Sequence, residues 1–255
     1  MVIVDDTDEL AQAGADPNVG VMLTQVAHTG LIPTPKGESR MLDYNEEVAK
    51  VEHLRDNPKI GLGEKPAVIV VDFQLAFTAH GQSDTDSALR ATAKLLEKAR
   101  AAGVPVVYLA VAYDTMDDVP LAWRREGGIF SRCQRGLATE AINPIVAMQP
   151  ADLLVEKRHA SGFYDTDLDE KLKVLGVDTL LLCGTSTSGC VRSTAVDGAA
   201  RSYRVMIVDE CCDDWRPVST VAALYDLADR YADVVHLEQM IKYLDKLGAP
   251  ATAGV

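Results

Sequence analysis

No stretch of the 255-residue chain reaches the run of about 18 apolar residues that a membrane-spanning helix requires, so no span is expected. The opening Met1-Val-Ile-Val-Asp-Asp6 has neither a basic flank nor an apolar core, and no secretory signal is expected from it. Positive charge is scarce: 25 Lys and Arg stand against 38 Asp and Glu, a formal net charge of −13. That balance argues against nucleic acid or an anionic membrane as partner and says little about a small substrate. The five cysteines contain no Cys-x-x-Cys, and their one close pair is the vicinal Cys211-Cys212. A reduced, cytoplasmic protein with free thiols is expected. The five histidines form no His-x-His, Asp-x-His or His-x3-His pair, so neither a metal nor another cofactor is expected. Asp114, Asp117 and Asp118 form an acidic loop that reads as solvated. No phosphate-loop Gly-Lys-Ser/Thr, internal repeat or low-complexity tract is present.

Residues 1–64 are polar and punctuated by Gly and Pro. Within them Tyr44, Val48, Val51 and Leu54 fall at helical spacing, which predicts one helix over 43–56 in an N-terminal arm. From Pro66 onward the pattern alternates. Strands are predicted at 67–73, 104–112, 152–156, 178–184, 204–209 and 232–237. Helices are predicted at 87–102, 167–175, 190–203, 217–230 and 238–247, with a frayed tail over 249–255. The long stretch 115–150 is irregular, with Trp123 and Phe130 as anchors, and a loop of that length is usually functional or carries short helices. Repeated β-α-β units imply a three-layer α/β/α domain over 65–248, with a six-stranded parallel sheet in Rossmann-like order. Ligands of such sheets bind beyond the carboxyl ends of the strands.

Polar residues that end strands are therefore the candidates for chemistry. Asp72 closes the first strand, Lys157 follows the third, and Cys190 follows the fourth by one turn, in Gly184-Thr-Ser-Thr-Ser-Gly-Cys190. All three are expected on one rim. A carboxylate can take a thiol proton, an ammonium can hold the carboxylate ionised, and a thiol can attack an electrophilic carbon. The position of Cys190 near a helix start is expected to favour thiolate over thiol. Backbone N–H groups of Ser186 and Cys190 are candidate oxyanion donors. Each element alone has a plainer explanation: Asp72 as a turn cap, Lys157 as a solvated cation, Cys190 as a small buried hydrophobe. Serine catalysis from Ser186 or Ser188 is disfavoured, because the turn is not Gly-x-Ser-x-Gly and only His159 lies near a strand end. Arg216 fits a substrate carboxylate geometrically, or else pairs with Asp213 or Asp214. Phe73, Gln74 and Trp123 are candidate pocket residues, and the two aromatics fit a core equally well. Cys183 reads as core, and Cys133, on the long loop, as exposed.

These segments resemble the isochorismatase-like cysteine hydrolase superfamily. The likeness rests on Val70-Val-Asp-Phe-Gln74, Glu156-Lys-Arg-His-Ala-Ser-Gly-Phe163, Thr166-Asp-Leu168 and Gly184 to Asp197. Leu224 to Val235 is similar to the branch containing N-carbamoylsarcosine and maleamate amidases. The resemblance covers about residues 65–240. It implies an Asp-Lys-Cys triad at Asp72, Lys157 and Cys190, and a non-proline cis peptide between Thr185 and Ser186. It also implies hydrolysis of a small amide or ureido substrate and a homo-oligomer, dimer or tetramer. Nicotinamidases of the superfamily hold a metal through Asp-x-His after the second strand. Tyr113-Asp-Thr-Met-Asp-Asp118 has no histidine, which disfavours that activity. True isochorismatases generally lack the cysteine, which disfavours vinyl-ether hydrolysis. A metal-assisted nicotinamidase-like enzyme and a non-catalytic member of the fold remain the alternatives.

Overall fold

The structure, a computed structural model, describes residues 31–33, 39–41, 45, 46, 49, 53, 54, 59–78, 85–124 and 128–249. The chain divides into two compact units, Met1–Ala49 and Lys50–Val255. In the first, β1 (Leu31–Pro33) pairs antiparallel with β2 (Ser39–Met41), a hairpin the sequence pattern did not announce. Of the helix expected over 43–56, residues 45, 46, 49, 53 and 54 are helical; the rest, with Tyr44, Val48 and Val51, lies outside the described residues. Most of the expected frayed tail, 250–255, lies outside them too.

The second unit carries a six-stranded, all-parallel sheet in the order β5-β4-β3-β6-β7-β8. Along the chain it runs β3 (Pro66–Val71), α1 (Leu75–Thr78), α2 (Thr85–Ala101), β4 (Val106–Val111), β5 (Leu153–Lys157) and α3 (Leu168–Val174). It continues through β6 (Thr179–Thr185), α4 (Arg192–Ala200), β7 (Arg204–Asp213), α5 (Pro217–Arg230), β8 (Asp233–Val235) and α6 (Leu237–Leu247). Every residue of β3, β4 and β6 is buried, as expected of strands covered on both faces. Alternation along β3 sends Ala67, Ile69 and Val71 to one core, where Leu168, Leu172, Ala195, Leu224 and Leu227 of α3, α4 and α5 pack. Val68 and Val70 face the other core, with Leu89, Leu95 and Leu96 of α2 and Met240 and Leu244 of α6. Each such side chain withdrawn from water contributes about 1.5–3 kcal/mol. Among its described residues, the stretch between β4 and β5 holds five short 3-10 turns. Among the described residues no helix is long and apolar enough to cross a membrane.

Residues 59–64, read from the sequence as part of the arm, are pinned to this unit. The Asp233 carboxylate accepts the N–H groups of Lys59, Ile60 and Gly61 at 2.7–3.2 Å. Asp178 accepts those of Glu64 and Lys65. Both acids sit at the amino-terminal rim, where β8 and β6 begin.

Candidate active site

The opposite rim gathers the three strand-end residues. Asp72 leaves β3 with φ 50°, a left-handed conformation that Asp tolerates better than most side chains, and its N–H donates to Leu109 O at 3.0 Å. Lys157 ends β5, two strands away across β4, and only a long side chain bridges that gap. Its Nζ donates to Asp72 Oδ2 at 2.8 Å and to the His159 carbonyl at 3.0 Å. The two side chains are 0% and 1% exposed. The other carboxylate oxygen, Asp72 Oδ1, is buried without a hydrogen-bond partner. Buried polar atoms are normally satisfied, so an orphan acceptor beside a thiol marks a place where a proton can arrive.

Cys190 lies against this pair. β6 reaches it at Gly184, whose φ of 128° and lack of a side chain let the strand pass directly over the Val71 backbone. Any Cβ there would collide with that backbone. The Thr185–Ser186 peptide is cis. A π-helical turn, Thr187–Val191, then carries the thiol into α4. The Ser186 carbonyl accepts the N–H groups of Gly189 and Val191 at 3.0 and 3.2 Å. Thr194 Oγ1 donates to the Cys190 carbonyl at 2.8 Å and accepts the Gly162 N–H at 3.0 Å, joining the turn to the segment after β5.

Burial is the strongest influence on all three groups. It pushes the Asp72 carboxyl above its usual range, with the Lys157 ammonium pulling the other way. It works to lower Lys157, yet Asp72 and Cys190 outweigh it and the ammonium is held more firmly than usual. It pushes the Cys190 thiol upward, Asp72 adds to this, and Lys157 opposes. The direction at Cys190 is thus toward the thiol, opposite to the one expected from a helix start. The helix-start argument was local, whereas burial and the neighbouring carboxylate decide the balance.

The other candidates separate. Phe73 is fully buried in the core with Val68, Val70 and Leu89. The Gln74 amide is wholly engaged: Nε2 donates to Val111 O at 3.0 Å and Glu140 O at 2.8 Å, and Oε1 accepts Val111 N–H at 2.8 Å. It clamps the end of β4 to the long connection. Trp123 stacks on Phe130 at 4.0 Å, half-buried over the cluster of Ala76, Val111, Tyr113, Val119 and Cys133. Arg216 is exposed and forms no ion pair among the described residues. Asp214, considered as its partner, instead accepts the Ser188 N–H. Cys133 is buried, against the expectation of an exposed thiol. Its thiol is pushed up to about 12 by burial and then by Asp72. Asp114 pairs with Arg135 and Arg158, and Asp118 with Arg158. Among the described residues no group of three or more His, Cys, Asp or Glu could hold a metal ion.

Two contributors escaped sequence reasoning. Tyr113 is buried beside the Asp72–Cys190 pair and its hydroxyl donates to the Arg158 carbonyl at 3.0 Å, fixing the turn that presents the His159 carbonyl to Lys157. Asp214 was noted only as a surface acid.

Comparison with known proteins identifies the family. Residues 66–239 match the isochorismatase domain model. A maleamate amidohydrolase of Pseudomonas putida is 32% identical over 194 residues, covering 74% of this chain and 91% of the relative. An N-carbamoylsarcosine amidase of an Arthrobacter species is 30% identical over 202 residues, covering 74% and 75%. A solved cysteine hydrolase from Pseudomonas syringae pv. phaseolicola aligns with a TM-score of 0.68 at 26% identity, covering 74% of this chain and 97% of that one. The chain belongs to the isochorismatase domain family.

Proposed function

We propose that the protein is a cysteine-dependent amidohydrolase that cleaves the C–N bond of a small amide, carbamoyl or ureido compound and releases ammonia. The observation that carries this reading is the half-satisfied Asp72 carboxylate, tied to Lys157 through Oδ2 and left open at Oδ1 beside the Cys190 thiol. The names of the similar amidases point to the same bond type.

The proposed steps are these. Cys190 Sγ attacks the carbonyl carbon as its proton passes to Asp72, so the thiolate exists only as the C–S bond forms. The oxyanion rests on the N–H groups of Ser186 and Cys190. Asp72 then returns the proton to the departing nitrogen, the C–N bond breaks, and ammonia leaves behind a thioester or its carbamoyl equivalent. Asp72 next deprotonates water, which attacks the same carbon, and the sulfur recovers its proton from Asp72. Lys157 stays charged throughout and holds Asp72 in place. Arg216, exposed and unpaired among the described residues, is the proposed anchor for a substrate carboxylate, which makes a linear amide or ureido acid the favoured class.

The test is ammonia release over a panel of small carbamoyl, ureido and primary-amide compounds, each acid beside a neutral isostere. The best substrate is expected among the acids, and Cys190→Ala should lower its turnover at least about a thousandfold. Ammonia release by Cys190→Ala at the parent rate would refute the mechanism.

A further inference from the structure

We propose that Asp214 is a positioning residue that holds the Cys190 turn in its reactive geometry, an assignment that rests on the reading of Cys190 as nucleophile. The register between β6 and β7 carries the first part of the argument. Leu182 pairs with Ile207, and the next pair is Gly184 with Cys212. Two steps along β6 (182 to 184) therefore face five along β7 (207 to 212), so β7 holds three additional residues in a bulge. The bulge lies beside Gly184, which pairs with Val71 at the end of β3. Bulges at such places re-aim a strand's continuation and cluster next to active sites. Here β7 resumes pairing beside Gly184 and Thr185 and extends as far as Asp213, beyond the apolar run that a strand would have needed for its core alone.

The continuation delivers two acceptors to the nucleophile turn. The Asp213 carbonyl accepts the Thr187 hydroxyl at 3.1 Å, and Asp214 Oδ2 accepts the Ser188 N–H at 2.7 Å. Asp214 is a carboxylate only 7% exposed. Other backbone bonds of the turn stay local: Gly189 and Val191 donate to the Ser186 carbonyl, and Arg192 donates to the Thr187 and Gly189 carbonyls. They fix its internal shape, Thr194 ties its Cys190 end to the segment after β5, and its Thr187–Ser188 end is held from β7. Ser188 lies two residues before Cys190, so a shift at that N–H displaces the sulfur relative to Asp72. Misplacement of a reacting group by about 1 Å can lower a rate about a hundredfold. The part Asp214 plays is hydrogen-bond acceptance, which an amide oxygen of the same shape also provides.

The experiment compares Asp214→Ala and Asp214→Asn with the parent for kcat and KM on the best substrate of the panel. Amide exchange at Ser188 is followed in parallel. Asp214→Ala should lose about ten- to a hundredfold in kcat with KM changed no more than about threefold, and the Ser188 N–H should lose protection. Asp214→Asn should restore kcat to within about threefold of the parent and keep Ser188 protected. If Asp214→Ala does not fold, Asp214→Ser, whose hydroxyl is too short to reach Ser188, is read in its place. A kcat for the shortened variant within twofold of the parent overturns the proposal, and so does an Asn variant that folds but is as slow as the shortened one. Cys190→Ala run alongside separates the two failures. If it is inactive while Asp214→Ala is fully active, only the positioning role falls; if it is active, the nucleophile reading falls first.

Discussion

Asp233 and Asp72 are both nearly excluded from solvent, at 3% and 1% exposure, on opposite rims of one sheet, yet their surroundings differ in kind. Asp233 receives three backbone N–H groups shared across both oxygens, from the segment 59–61. Asp72 receives one ammonium on one oxygen, has no geometric hydrogen-bond partner on the other, and interacts with the Cys190 thiol. The first arrangement satisfies a carboxylate and uses it to staple a connecting segment to the domain. The second keeps acceptor capacity in reserve, at a cost in stability that a purely structural residue has no reason to incur. Burial alone therefore does not mark a functional acid; incomplete satisfaction next to a reactive partner does.

That contrast can be tested from both rims. The largest effect is expected at Lys157. Replacing it by Met leaves the Asp72 carboxylate buried without its cation, and breaking a buried pair from one side costs about 3–5 kcal/mol. A urea titration should show that loss together with loss of ammonia release. A variant as stable and as active as the parent would mean that Asp72 does not depend on its partner. A smaller effect is expected at the other rim. Asp233→Ala leaves the N–H groups of 59–61 without their acceptor, and hydrogen bonds to a charged group are worth about 1.5–3 kcal/mol. The unfolding midpoint should fall accordingly while kcat stays within about twofold. A large loss of kcat in folded Asp233→Ala would erase the distinction between staple and reactive acid.

The distribution of legible and hidden features follows the range of the forces involved. The six strands and five long helices could be read because apolar runs such as Ala67–Val71 and Leu180–Cys183 are local signals, and the rim positions of Asp72, Lys157 and Cys190 follow from where those runs stop. Other features depend on partners distant in sequence. The end of β7 carries Glu210, Cys212 and Asp213, which read as loop, and pairing with Gly184 and Thr185 beyond the bulge makes it strand. Cys133 sits in the polar string Ser131-Arg-Cys-Gln-Arg135, but the bridge between Tyr113 and Gln134 draws it inward. Gln74 looked like a pocket residue beside Asp72, yet the β4 end and the Glu140 carbonyl claim its amide. The upward push on the Cys190 thiol is hidden from the sequence for the same reason, since burial is a property of the assembled fold.

The most direct test of the central claim is the rate of Cys190 alkylation by iodoacetamide between pH 6 and pH 9, followed on the Cys190 peptide by mass spectrometry in the parent and in Asp72→Asn. Burial and then Asp72 push the parent thiol upward, so its alkylation should climb through this whole range without a plateau. Asp72→Asn removes the base that takes this proton as sulfur attacks, while the burial that raises the thiol remains, so it should alkylate several-fold slower at pH 7 and release no ammonia. Alkylation of Asp72→Asn as fast as the parent, or a parent rate already level below pH 7, would exclude Asp72 as the base for Cys190.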